Sequence, residues 1–159
     1  MIHKAVGAAV VAAAAAALIV PIAAADKPIT VPSPFPDATG QFCEDFMVGI
    51  HATENRGTTH IFSSGAILFT GTLKVEVTNL ETGKTIALNI SGPGSISTEG
   101  TVLSGSGPWL FFGEAGFFGP GSPPELSTNH GRIAIDLVDG SFITRTGKSV
   151  DLCPLLAAA

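Results

Sequence analysis

The chain has 159 residues, of which 45% are hydrophobic and only 13% charged, with a formal net charge of −5. About 25% charge is usual for a soluble domain. Plentiful apolar residues exclude intrinsic disorder, the acidic balance excludes the basic stripe of a nucleic-acid binder, and the length suits one domain.

The chain opens with Met1-Ile2-His3-Lys4, a short segment with one lysine, followed by an apolar run over residues 5–20. Pro21 breaks the run, and Ala23 and Ala25 put small residues three and one positions before Asp26. These are the parts of a secretory signal peptide over residues 1–25, helical in its apolar run, with cleavage expected between Ala25 and Asp26. The rival reading is an uncleaved anchor, since 21 residues can just span a bilayer. Twelve of residues 5–25 are alanine, which drives insertion weakly and favours cleavage. No cysteine stands at the junction to carry a lipid. Removing the leader leaves 134 residues with seven Lys and Arg against thirteen Asp and Glu, a net charge of −6. The mature form is expected to be extracellular, with no transmembrane segment and no nucleic-acid partner.

Residues 26–41 hold four prolines (Pro28, Pro32, Pro34, Pro36) and no periodicity, so an extended lead-in is expected there. A single domain is expected over 42–156, with 157–159 as a tail. Cys43 and Cys153, the only cysteines, stand 110 positions apart. An even pair in an exported chain reads as a disulfide, and two cysteines alone make a poor metal site.

From Gly40 onward, glycines or prolines interrupt the chain at short intervals, and no amphipathic helix of ordinary length fits. Turn signals recur at Gly40, Gly49, Gly57 and Gly65, at Gly83, Gly92 and Gly100, and at Gly131, Gly140 and Gly147. The fold class is all-β, with strands expected near 44–53, 58–63, 66–78, 84–91, 95–98, 101–106, 108–113, 126–138 and 141–150. A closed antiparallel barrel of about 8 strands is the leading architecture, and a β-sandwich the alternative. A disulfide favours closure, because it would fasten the first strand beside the last, where a barrel seam would lie.

Two hairpins can be registered. A four-residue loop Leu80-Glu81-Thr82-Gly83 pairs Asn79 with Lys84, and sets Val77 opposite Ile86, Val75 opposite Leu88 and Leu73 opposite Ile90. A slip of one residue would mate them with Ala87, Asn89 and Ser91. The same loop pattern at Glu54-Asn55-Arg56-Gly57 would pair Thr53 with Thr58 and place His51 opposite His60, roughly 5 Å apart at Cβ. Two imidazoles at that spacing supply part of a Zn²⁺ or Cu²⁺ site. No third ligand stands at a defined spacing, His130 being remote, and cross-strand polar pairs are ordinary on a solvated face, so no metal is assigned.

Residues 107–121 hold the sole tryptophan and four of the ten phenylalanines: Trp109, Phe111, Phe112, Phe117 and Phe118. Consecutive aromatics on a strand must point to both faces. They read as core and as cover for glycines, or as the lining of an apolar ligand cavity. Catalytic and cofactor motifs are missing: no Gly-x-Ser-x-Gly elbow, no Gly-x-Gly-x-x-Gly turn, no phosphate loop and no His-Glu-x-x-His. Glu44 and Asp45 are adjacent on an expected strand and face opposite ways. Asp136 interrupts the Ile133, Ile135, Leu137 alternation on the outward side, and Asn89-Ile90-Ser91 matches a glycosylation acceptor. No catalytic residue and no cofactor is assigned.

The order of motifs is distinctive. Cys43-x-x-Phe46 opens the domain, Thr78-Asn-Leu-Glu-Thr-Gly-Lys84 follows, then Ser91-Gly-Pro-Gly94, Gly107-Pro-Trp-Leu110 and Asp151-Leu-Cys-Pro-Leu-Leu156. Over residues 43–156 this resembles small secreted actinobacterial proteins of unknown function, whose architecture is similar to the allene-oxide-cyclase-like or lipocalin-like barrel. The resemblance implies a closed barrel with room for an apolar interior. It carries no cyclase residue onto this chain, and fold likeness alone does not give chemistry. The leading functional expectation is a non-catalytic barrel holding a small apolar molecule or a cell-envelope component. The alternatives are an envelope or adhesion module displaying Trp109 and Phe117, and a cyclase- or isomerase-like enzyme.

Overall fold

A computed structural model describes residues 27–157; the expected signal peptide lies outside the described residues. Twelve strands and one short helix form within them: β1 Ile29–Pro32, β2 Ala38–Gly40, β3 Val48–Asn55, β4 Thr58–Ile61, β5 Ile67–Thr70, β6 Leu73–Asn79, β7 Thr85–Asn89, β8 Gly94–Ile96, β9 Val102–Gly113, β10 Glu125–Asp136, β11 Phe142–Arg145, β12 Lys148–Asp151 and α1 Cys153–Ala157. The fold is all-β and every strand pairing is antiparallel.

The expected closed barrel does not form. The strands make one sheet in the order β1-β4-β5-β8-β9-β10-β11, with β12 also on β10, and a second in the order β2-β3-β6-β7. Neither sheet closes on itself, so the arrangement is sandwich-like. Both edges of β3 are occupied, by β2 and β6, which leaves none for the last strand. β12 pairs instead with the first half of β10, and β11 with the second half. The Cys43–Cys153 disulfide does form. It joins the loop before β3 to α1, and so ties one sheet to the other rather than sealing a seam.

The two sheets share a folded corner. The β3–β6 ladder ends at Asn55 opposite Leu73, and the β4–β5 ladder starts with Thr58 opposite Thr70. Between them the Arg56 amide donates to the Thr72 carbonyl at 2.8 Å, so one two-stranded ribbon passes from sheet to sheet. The expected strand 66–78 is thereby divided at Gly71, which has φ +115. A Cβ there would collide with the Arg56 carbonyl; only glycine permits both the dihedral and the close approach. Segment β7–β8 crosses in parallel course, pairing first with β6 and then with β5.

The hairpin registered from sequence is present: Val77 faces Ile86 and Val75 faces Leu88. The Asn79 amide donates to the Lys84 carbonyl, and the Ile90 amide to that of Leu73, each at 2.9 Å. The expected strands 101–106 and 108–113 are fused into β9, because the ladder with β10 runs unbroken through Gly107 and Pro108. Proline is tolerated there since β8 has already ended on the other side.

Val48 and Ile50 from β3 and Val75 and Val77 from β6 are almost fully buried against Leu110 and Leu126 of the larger sheet, with Leu152 and Leu156 closing one end. A smaller cluster gathers Phe111, Ile133 and Ile135 on the opposite face of β9–β10. The proline-rich stretch is extended and joins both sheets through β1 and β2.

Outside the core, a bulge at Thr53 brings Glu54 opposite Lys74. The Glu54 carboxyl is held below the ordinary glutamate range, first by the hydrogen bond from Lys74, then by the charges of Lys74 and Arg56. The Lys74 and Arg56 nitrogens lie 2.7 and 3.1 Å from its oxygens. A carboxyl depressed by folding stabilises the fold above its unfolded pKa and loses that contribution as pH falls through the folded value. In Lys74→Ala the Glu54 titration, followed by NMR, is expected to move up toward the ordinary range. An unchanged titration would refute the assignment of cause.

Candidate functional site

Inside the folded corner lies a half-enclosed cavity of about 340 Å³. Its walls come from three places. The corner contributes Phe69, Leu73 and Ile90, the larger sheet contributes Ile96, Leu103, Trp109 and Leu110, and the lead-in contributes Ser33, Pro34 and Phe35. The lead-in is fixed there by chemistry local to the corner. The Ser33 amide donates to the Gly57 carbonyl at 2.9 Å, Asn55 Nδ2 donates to the Ser33 carbonyl at 2.8 Å, and the Ser33 and Thr59 hydroxyls are bonded at 2.6 Å.

Trp109 is the largest group in this wall and occupies a bed of glycines. A Cβ at Gly94 or Gly105 would lie 2.6 Å from the indole, and one at Gly92 would overlap it as well. The ring therefore covers bare backbone on one side, and its Nε1 donates to the Ser106 carbonyl at 3.3 Å. Covering glycines and lining a cavity, set apart as rival readings of the sequence, are both done by this residue.

The other four aromatics of residues 107–121 are not gathered at the cavity. Phe112 enters the main core, with ring centroids 5.2 Å from Phe42 and 6.4 Å from Phe35. Phe111 points the other way, to Phe142 and Phe118 at 5.1 and 6.1 Å. Phe117 lies over Gly113 and remains 62% exposed. One cavity residue of the five is thus brought to the site, and the apolar walls from the corner were not singled out from sequence. The signal available was Gly71: an isolated glycine inside an alternating strand marks a bend or a close backbone approach.

The face-to-face pairing of His51 and His60 does not form, because β3 and β4 belong to different sheets. His51 bonds Asp37, at 2.9 Å and largely in solvent. His60 Nδ1 lies 2.9 Å from Thr30 Oγ1, and its Nε2 lies 3.2 Å from Thr70 Oγ1. His130 is on β10 opposite Pro108 and Lys148. Among the described residues no group of three His, Cys, Asp or Glu side chains is placed to hold a metal ion.

A second, larger cleft of about 800 Å³ lies beside the disulfide, where Glu44, Asp45, Glu125, Asp151 and Arg145 share the wall with Phe46, Leu126 and three prolines. The Arg145 guanidinium bonds Glu125 Oε1 at 2.6 Å, donates to Ser127 Oγ at 2.6 Å and Ser149 Oγ at 2.9 Å, and stacks over Phe111 and Phe142. Its bonding capacity goes mostly to the protein itself, as a structural tie between β10, β11 and β12. Comparison with known protein families, curated proteins and solved structures finds no match.

Proposed function

We propose that this is a secreted, non-catalytic binding protein that holds a small apolar molecule, or the apolar part of a cell-envelope component, in the corner cavity beside Trp109. The observation that carries this reading is the cavity itself: about 340 Å³ of space walled mainly by apolar side chains, within the range of small-molecule sites. No carboxylate, imidazole, amine or thiol stands among its lining residues, which favours holding over chemistry. Export rests on the leader-like residues 1–25. The surface-module alternative calls for Trp109 and Phe117 side by side on the exterior. Trp109 instead faces the cavity while Phe117 covers a different strand end.

The sole tryptophan makes the test direct. N-phenyl-1-naphthylamine, a neutral apolar dye, is expected to bind with energy transfer from Trp109. Ile96→Phe adds bulk where open cavity space can take it, so it is expected to reduce dye affinity at least about tenfold while sparing the stability loss of roughly 1–3 kcal/mol that overpacking a filled core brings. Absence of transfer in the native protein, or unchanged binding by Ile96→Phe, would overturn the reading.

A further inference from the structure

We infer that the corner cavity selects uncharged molecules and turns away anionic amphiphiles such as those with a carboxylate or sulfonate head. This deepens, and rests on, the binding function proposed above. Two independent features of the wall lead to it.

First, no ionisable side chain stands among the lining residues. An anionic head drawn to the cavity would lose hydration and find no cation to replace it, which is strongly unfavourable. The protein's charge adds to the barrier, since acids outnumber bases along the whole chain.

Second, the few polar side chains at the cavity are already engaged within the protein. Ser33 Oγ bonds Thr59. Asn55 donates to the Ser33 carbonyl and accepts from the Gly57 amide. Thr70 Oγ1 bonds Thr58 and His60 at 3.1 and 3.2 Å. Ser91 Oγ donates to Asn89 Oδ1 at 2.5 Å and accepts from the Leu73 amide at 2.9 Å. These bonds hold the corner together, so recruiting such a group to a ligand head would break a contact that maintains the cavity's shape. A ligand that asks for no strong hydrogen bond meets no such cost.

Two dyes sharing the phenylnaphthylamine body test this: neutral N-phenyl-1-naphthylamine and its 8-sulfonate. With the native protein, energy transfer from Trp109 is expected to report binding of the neutral dye, and the sulfonate is expected to bind at least tenfold more weakly at equal ionic strength. Pro34→Lys places an ammonium on the exposed lead-in at the cavity wall without removing any of these bonds, and is expected to narrow that ratio by raising the affinity for the sulfonate. Equal affinities in the native protein, with transfer from Trp109 in both cases, would overturn charge selection while leaving the binding site standing. Failure of both dyes to bind would overturn the site and its selectivity together. A ratio unmoved by Pro34→Lys in a protein that melts normally would show that wall charge does not set the choice, and would also overturn the inference.

Discussion

Replacing both Cys43 and Cys153 by serine is expected to lower the stability of the domain by about 3 kcal/mol, within the usual range of roughly 2–5 for a native disulfide. The bridge closes a loop with a sequence separation of 110, and constraining so long a loop in the unfolded chain has a ceiling of about 4.7 kcal/mol in the loop-entropy account. It also joins groups that the native fold needs together. Cys43 is 2% exposed and belongs to the main core with its neighbours Phe42 and Phe46, while Cys153 begins the helix that buries Leu156. No strand pairing links these two segments, so no backbone ladder compensates for the lost bond. Thermal unfolding followed by circular dichroism should register a drop of about 10–15 °C for a domain of this size. A variant melting within two or three degrees of the native protein would mean that the folded ribbon and the hydrophobic contact hold the sheets together without the bridge.

The second large effect is expected at Arg145. Arg145→Ala should cost about 3 kcal/mol, the lower end of the range for breaking a buried ion pair by removing one partner. The lower end applies because Arg145 and Glu125 retain 23% and 24% of their side-chain exposure. The deletion strands the Glu125 carboxylate, which then keeps only Ser127 among its partners, and it uncovers the Phe111 and Phe142 rings on which the guanidinium lies. Arg145→Lys should recover little, because an ammonium cannot reproduce a planar fork that bonds three oxygens while stacking on two rings. The double replacement Glu125→Gln with Arg145→Met should recover most of the loss, since it removes the stranded charge and refills the volume. Urea unfolding of the four proteins decides the matter: an alanine variant as stable as the native protein would remove Arg145 from the list of structural ties.

The parts of this fold legible in the sequence are those governed by neighbours close along the chain. The alternation of Leu73, Val75 and Val77 against Ile86, Leu88 and Ile90 gave a register that the structure reproduces, because a one-residue slip would turn every apolar side chain outward. The disulfide followed from the cysteine count. What the sequence does not display is how ribbons fold on one another. The run from Phe69 through Leu73 to Val77 keeps its period across Gly71, so nothing in the alternation announces that the chain there leaves one sheet for the other. The same loop chemistry that predicts a tight hairpin at Leu80–Gly83 fails at Glu54–Gly57, where the connection is spent on crossing between sheets and the two histidines part company.

The Arg145 tie was equally hidden. Phe142 and Arg145 are three residues apart and should face opposite ways on a regular strand. An irregularity in the β10–β11 register leaves Ile143 unpaired, so Ile135 meets Phe142 and Ile133 meets Arg145 on one face. The cavity was foreseen only through Trp109. Its remaining walls come from segments distant along the chain, and volume left between packed elements has no signature in any one of them.

The two sheets are fastened at opposite ends of β3. Past Asn55 the hydrogen-bonded ribbon turns into the neighbouring sheet, while ahead of Val48 the covalent bond from Cys43 reaches α1. A clamshell with a hinge and a latch at opposite ends cannot gape to admit a bulky guest. Size discrimination at the corner should therefore be steep, with affinity falling abruptly once a molecule exceeds the space available, and reduction of the disulfide should relax that limit before it unfolds the domain.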